Sequence, residues 1–205
     1  NLDRDVEAQE GLGIESVEFA TFSLGDADRT FHANCDWKYS HTEEETSQAS
    51  AFLPHVSEGI NDYAAEEFFC QSRSSDGGRD FTESNVAQIH SIGMRASDYL
   101  RMAFDGTKLI WSPRSNLDLY GMTAQVALFH ALGGVIALGT DWTYSGSIHS
   151  GRELACADSF NRDYLNSYFS DFDLWQMATA NAAIAVGAES VIGSLESGKV
   201  ADIAV

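Results

Sequence analysis

Short apolar segments alternate with helical patterns along this chain, and this alternation predicts repeated strand–helix units. Such units are typical of an α/β protein with a parallel sheet. Five apolar runs predict strands at Val17–Phe22, Ala51–His55, Val86–His90, Lys108–Trp111 and Val135–Leu138. Helical spacing of apolar residues predicts helices at Glu43–Gln48, Asn61–Ser72, Ala96–Phe104, Met122–Leu132, Arg152–Phe169 and Asp171–Val186. We expect Ser112-Pro113 to stop the fourth strand, and Ile192–Val205 to form a glycine turn and a final strand.

Polar residues occur where three of the predicted strands end. His55 ends the second strand and Glu58 follows it, His90 ends the third, and Asp141 comes shortly after the fifth. The carboxyl ends of parallel strands converge on one face of the sheet, where ligands bind. Imidazole and carboxylate groups suit zinc, iron or manganese. Each residue alone has an ordinary explanation as a hydrogen-bonding, capping or turn residue, but their joint placement predicts a metal site.

The charge balance restricts the kinds of partner that this chain can bind. Its 205 residues carry 31 acidic and 12 basic side chains, a formal net charge of -19. That charge disfavours nucleic acids and anionic membranes, which would repel it. No apolar run approaches the ~20 residues of a membrane helix, and the start shows no signal-peptide pattern. These observations favour the cytoplasm, although the chain begins with Asn1 rather than Met.

The cysteines give no sign of a disulfide framework. Cys35, Cys70 and Cys156 are odd in number, widely spaced and without a C-x-x-C motif. This pattern disfavours both a disulfide scaffold and a structural zinc ribbon, and it predicts three ordinary thiols.

Four ordered motifs and the C-terminal tail resemble the amidohydrolase superfamily of metal-dependent hydrolases. The tail Gly193–Ile203 is similar to the passage where these chains leave the barrel for a small β-sandwich. The four motifs resemble the His-x-x-Glu segment of barrel strand five, the histidine segment of strand six, the Pro-x-Ser-Asn segment after strand seven and the aspartate of strand eight. The His-x-x-Glu segment is Pro54–Gly59, and the histidine segment is Ile89–Gly93. The Pro-x-Ser-Asn segment is Trp111–Leu117, and the segment with the aspartate is Leu138–Asp141.

The resemblance implies a (β/α)8 TIM-type barrel, of which this chain holds roughly strands four to eight. A whole barrel typically needs about 250 residues, so a chain of this length fits an incomplete one. We therefore expect residues 1–192 to form the C-terminal half of the barrel. Residues 193–205 are expected to begin the return to the β-sandwich.

The His-x-x-Glu motif resembles the branch that contains cytosine and adenosine-type deaminases and triazine hydrolases. Membership would imply one divalent metal, zinc or iron, with manganese as a further option. His55 and Asp141 would be metal ligands, and Asp141 would also accept a proton from water. His90 would hold or activate that water, and Glu58 would carry the proton to the leaving group.

Three further residues are expected to bind the substrate. Ser115 and Asn116 belong to the Pro-x-Ser-Asn motif, although a simple turn after Pro113 explains them equally well. Trp142 directly follows the candidate ligand Asp141 and is expected to shape specificity.

Two absences bear on the metal site. Binuclear relatives use a carboxylated lysine on strand four, but none of the chain's three lysines lies in Val17–Phe22, which supports a single metal. The family's strand-one His-x-His pair is also absent, because no two histidines here are separated by one residue. We expect that pair upstream of residue 1, in preference to a lineage that has lost its metal.

The expected function is hydrolysis of a C–N bond in a small molecule by a metal-activated water. The bond could belong to an amide, an amidine, a cyclic amide or a ring amino group. The full-length enzyme could form a homo-oligomer, and this piece alone is expected to be inactive. The alternatives are a catalytically incomplete barrel fragment and a small-molecule binding module that lacks the His-x-His pair.

Overall fold

Five parallel strands form one sheet, and their order in the sheet is their order in the sequence. The computed structural model describes residues 17–24, 32, 34–201 and 203. The strands are β1 Val17–Ala20, β2 Ala51–Val56, β3 Ala87–His90, β4 Lys108–Trp111 and β5 Ile136–Leu138. Each of the five strands predicted from apolar runs is confirmed to within two residues at either end. The α/β class and the parallel sheet predicted from the apolar runs are therefore confirmed.

Helices follow the strands, as the alternation of apolar patterns predicted. They are α1 Glu43–Gln48, α2 Asp62–Cys70, α3 Ala96–Asp105, α4 Pro113–Tyr120, α5 Val126–Ala131, α6 Ser150–Tyr164, α7 Asp171–Ala178 and α8 Ala180–Ala185. In the part of the chain that the structure describes, no helix combines the length and the apolar character needed to span a bilayer.

Four predictions about helices differ from the structure, one of them being the helix predicted at Arg152–Phe169, which ends at Tyr164. Pro113 does not lead into a simple turn but opens α4, because proline is well suited to the first turn of a helix. The helix predicted at Met122–Leu132 begins only at Val126. The helix predicted at Asp171–Val186 divides at Thr179, whose hydroxyl donates to the carbonyl of Trp175 and whose backbone leaves the helical region.

Apolar side chains cover both faces of the sheet. On one face, strand residues such as Leu109, Trp111 and Ile136 pack against the helices in the largest cluster of buried residues. The other face has a smaller cluster, which α8 covers with Ala182 and Ala185. The strand residues of this second cluster are Leu53, Ala87, Ile89, Ile110 and Ala137.

The described part of the C-terminal tail does not form the expected strand. Residues 192–201 and 203 have turns and irregular structure. Gly193 and Gly198 have φ angles of 92° and 97°, which belong to turns. Residues 1–16 of the predicted barrel half, and residues 202, 204 and 205 of the predicted tail strand, lie outside the described residues.

The prediction of three free thiols is wrong for two of them. Cys35 and Cys70 form a disulfide, and Cys156 is free. The bond joins the segment after β1 to the last residue of α2. Sequence spacing does not reveal this pairing because the fold brings together two residues that are 35 positions apart.

Candidate active site

The three strands that carry the candidate residues end in left-handed backbone. Ser57 after β2, His90 at the end of β3 and Asp141 after β5 have φ angles of 53°, 72° and 55°. Residues other than glycine rarely adopt this conformation, which costs about 1–3 kcal/mol each and concentrates at functional sites. The turns redirect the chain at the edge of the sheet where the candidate side chains meet.

The turns after β2 and β3 are held together by backbone hydrogen bonds. The carbonyl of Ser57 accepts from the amides of Ile92 and Gly93, both at 3.0 Å. A Cβ on Gly93 would lie 2.9 Å from the carbonyl oxygen of Gly59, so the two turns can approach this closely only with glycine there. The backbone next to Glu58 is thus fixed relative to the backbone next to His90.

One hydrogen bond fixes the protonation pattern of the His55 ring. Its Nδ1 lies 2.7 Å from the carbonyl oxygen of Ala20 at the end of β1. A carbonyl only accepts, so Nδ1 carries the proton of the neutral ring. The lone pair is therefore on Nε2, which is the form in which imidazole binds a metal.

A chain of hydrogen bonds fixes the opposite pattern in His90. The indole Nε1 of Trp111 only donates, and it lies 2.7 Å from Oγ1 of Thr123. Thr123 in turn donates to Oδ1 of Asn116 at 3.0 Å, which leaves the Asn116 Nδ2 to donate to Nδ1 of His90 at 2.9 Å. Since Nδ1 accepts, the proton of the neutral His90 ring is on Nε2.

His90 is buried and its Nε2 points toward two carboxylates. Oε2 of Glu58 lies 3.6 Å away and Oδ2 of Asp141 lies 3.9 Å away, and Nε2 itself has no hydrogen-bond partner. Burial lowers the pKa of His90 to about 4. The charge of Asp141 raises this pKa, and His55 lowers it further. The ring is therefore neutral at pH 7 and presents an N–H group to the space between the carboxylates.

The donor atoms of this cluster fit a divalent metal. A ring nitrogen of His55, a ring nitrogen of His90 and a carboxylate oxygen of Asp141 lie within 4.8 Å of one another. In the tautomers described above, Nε2 of His55 and the carboxylate of Asp141 offer lone pairs, whereas Nε2 of His90 carries a proton. Nitrogen and carboxylate oxygen are ligands of zinc and of related transition metals. Among the described residues, this cluster unites three of the four strand-end side chains singled out in the sequence, and Glu58 lies beside it.

Glu58 has a further contact that the sequence analysis missed. The hydroxyl of Tyr120, the last residue of α4, donates to its Oε1 at 2.9 Å. Treating the residues after Pro113 as a turn concealed this contact. A helix that starts at Pro113 places Asn116 and Tyr120, four residues apart, on one face, and that spacing was the available signal.

A buried carboxylate from α2 supports the segment between His55 and Glu58. Glu67 is fully buried; its Oε2 accepts from the amide of Ser57 at 2.8 Å and its Oε1 from the amide of Leu24 at 2.5 Å. It thereby joins the segments that follow β1 and β2. Nothing in the local sequence marks this glutamate, which occupies an ordinary helical position.

The predicted substrate-binding residues lie in different environments. Ser115 and Asn116 are fully buried; the hydroxyl of Ser115 donates to the carbonyl of Ser112, and Asn116 lies behind His90. Trp142 is 66% exposed beside Asp141, and its ring contacts Tyr144 at a centroid distance of 4.6 Å. Substrate contact by these three residues stays a prediction.

The match to a known family covers most of the chain. The model of the amidohydrolase family matches residues 26–205. The chain belongs to the amidohydrolase family. The resemblance stated from four motifs is therefore confirmed.

Two curated relatives of the chain are named as deaminases. One protein from Teredinibacter turnerae, named 5-methylthioadenosine/S-adenosylhomocysteine deaminase, is 35% identical over 118 residues. A protein of the same name from Symbiobacterium thermophilum is 30% identical over 123 residues. These matches cover 56% and 58% of this chain but only 27% and 28% of the relatives. The chain thus spans little more than a quarter of these proteins.

Solved structures share the fold. An adenosine deaminase from Xanthomonas campestris with bound zinc matches with a TM-score of 0.62 at 21% identity, over 74% of this chain and 36% of that one. A triazine hydrolase from Arthrobacter aurescens matches with a TM-score of 0.58 at 17% identity, over 74% of this chain and 34% of that one. The five-stranded sheet is accordingly consistent with part of a TIM-barrel-like amidohydrolase domain.

Proposed function

We propose that the full-length protein containing this chain is a metal-dependent hydrolase of C–N bonds in small molecules. The observation that carries the proposal is the meeting of His55, His90 and Asp141 at adjoining strand ends, with Glu58 beside them. Because both curated relatives are named as deaminases, removal of a ring amino group is the favoured reaction within this class.

In this proposal, residues 1–192 belong to the C-terminal half of a barrel, and residues 193–205 begin the return to a β-sandwich. His55 and Asp141 hold one divalent metal, zinc or iron, together with a His-x-His pair from sequence upstream of residue 1. A bound divalent metal lowers the pKa of a water ligand from 15.7 toward about 7, which makes hydroxide available at neutral pH.

The chain's own residues then move one proton from water to the leaving nitrogen. Asp141 accepts the proton as the water oxygen bonds to the substrate carbon. His90 donates its Nε2–H to the developing negative charge, which the neutral tautomer described above allows. Glu58 takes up the proton and delivers it to the nitrogen as the C–N bond breaks.

The metal assignment is tested by removing each ligand in the complete gene product. His55→Ala and Asp141→Asn are expected to lose bound metal and activity, because each variant removes a donor group from the site. Metal content by atomic emission and turnover on amino-heterocycle substrates provide the measurements. The control is Asp118→Asn, which changes an exposed aspartate of α4 outside the site. Full metal content and turnover in both ligand variants would make the assignment wrong.

The role of Glu58 is tested separately, because it is not assigned as a ligand. Glu58→Gln is expected to retain the metal but lose about 10²–10⁴-fold in turnover, the usual contribution of a positioned acid–base group. Unchanged turnover would remove Glu58 from the mechanism while leaving the metal assignment intact.

A further inference from the structure

One face of α4 contacts two of the groups that hold protons in the proposed function, His90 and Glu58. Asn116 and Tyr120 are four residues apart, so their side chains project from the same side of the helix. Asn116 donates to Nδ1 of His90 and Tyr120 donates to Oε1 of Glu58, each at 2.9 Å. The two contacts come from successive turns of a single rigid element.

The Tyr120 hydrogen bond distinguishes the two oxygens of Glu58. Oε1 accepts from the phenol, whereas Oε2 lies 3.6 Å from Nε2 of His90, on the side of the candidate metal site. The side chain of Glu58 is only 13% exposed, so water competes weakly for Oε1. A carboxylate held in this orientation needs less reorganisation before it transfers a proton.

We propose that Tyr120 is a positioning residue for Glu58. Its hydroxyl holds Oε1 and directs Oε2 toward the reacting atoms, so that Oε2 takes up the proton that Asp141 has accepted from water and passes it to the leaving nitrogen. The Tyr120 O–H bond stays intact throughout, and the phenol supplies no proton. This inference rests on the proposed function, which assigns the proton shuttle to Glu58.

The first test is Tyr120→Phe in the complete gene product. Because the variant removes a hydrogen bond to a charged group, kcat is expected to fall at least about 10-fold. KM and metal content are expected to stay unchanged, because the hydroxyl contacts neither the substrate nor a metal ligand in this assignment. The matched control is Tyr168→Phe, which removes a hydroxyl bonded to His130 at 3.1 Å, outside the site, and should leave kcat unchanged.

A double-mutant cycle separates positioning from a general structural effect. In a Glu58→Ala background, Tyr120→Phe should change kcat by less than about two-fold, because the group it orients is gone. The same four proteins are also compared in urea unfolding after removal of metal, which measures the effect of the contact on stability without any dependence on catalysis. There Tyr120→Phe should lower the midpoint more in the parent than in the Glu58→Ala background.

Two kinetic results would overturn the assignment. One is an unchanged kcat in Tyr120→Phe, and the other is an equal loss of kcat with and without Glu58. Neither would affect the proposed function, since the parent protein would still hydrolyse its substrate. If the parent lacked activity on every C–N substrate, the proposed function would fail instead. The unfolding cycle would then still decide whether Tyr120 holds Glu58.

Discussion

Two histidines at neighbouring strand ends differ in the nitrogen that carries the proton. The Ala20 carbonyl places it on Nδ1 of His55, whereas Asn116 places it on Nε2 of His90. The ring centroids are only 5.1 Å apart, so the two imidazoles share one environment but present a lone pair and an N–H group, respectively. Their partners therefore suit them to different tasks, metal binding and hydrogen-bond donation.

At the residue scale, Glu67 offers a test of how the site is held. Glu67→Gln keeps the size of the side chain but places an NH2 group against a backbone amide, either that of Ser57 or that of Leu24. An unsatisfied buried donor costs about 1–3 kcal/mol, and we expect that loss in the free energy of unfolding. Urea denaturation of the gene product measures it, and turnover should fall as well because Ser57 lies between His55 and Glu58.

The neighbouring glutamate provides the control for this prediction. Glu66 is partly buried and accepts from the amide of His32 at 3.2 Å, a bond that the carbonyl of glutamine can replace. Glu66→Gln should therefore change stability by no more than about 0.5 kcal/mol. Equal stability of the two variants would show that the Glu67 carboxylate is not needed to hold the turn.

At the element scale, α4 shows what the sequence could and could not reveal. Strand ends were predictable because apolar runs stop at polar residues such as His55 and His90, and those positions predicted the cluster correctly. The helix after β4 was not predictable, because Pro113 and Ser115 fit a turn as well as the start of a helix. Thr123 and Tyr120 were missed because their contacts depend on tertiary packing, which no local pattern records.

A buried glutamate of α6 anchors the start of α4, which gives an element-scale prediction. Oε1 of Glu153 accepts from the amide of Arg114 at 3.0 Å, in the first turn of α4. Glu153→Ala removes this acceptor and should destabilise the protein by about 1–3 kcal/mol, as loss of a buried partner does. Glu153→Gln retains an acceptor oxygen and should lose much less.

Thermal or urea unfolding of the two variants side by side measures this difference. Because α4 carries Asn116 and Tyr120, turnover should follow the same order, with Glu153→Ala below Glu153→Gln. If both variants were destabilised equally, the negative charge of Glu153 rather than its hydrogen bond would anchor the helix.

At the scale of the whole molecule, the sheet has two unpaired edges within the described residues. β1 pairs only with β2, and β5 only with β4. Phe19 and Phe22, in and just after β1, are 65% and 69% exposed. Open edges and exposed aromatic rings invite pairing with further strands, and the proposal of a barrel half explains both features.

The disulfide is the whole-molecule feature that the sequence analysis disfavoured. An odd number of scattered cysteines argued for free thiols, but pairing depends on which residues the fold brings into contact. Cys35 and Cys70 are both buried, so the bond lies inside the protein. Such bonds persist mainly in oxidising surroundings.

Reduction of this disulfide should measurably weaken the fold. The bond closes a loop with a sequence separation of 35 residues. Constraining a loop of that length in the unfolded chain is expected to contribute about 2–4 kcal/mol. Urea unfolding of the gene product with and without reductant measures this difference.

Cys156→Ser should keep the full response to reductant, because that thiol is free. The double variant Cys35→Ser/Cys70→Ser should lose it, and an identical response in the double variant and the parent would contradict the assigned pair.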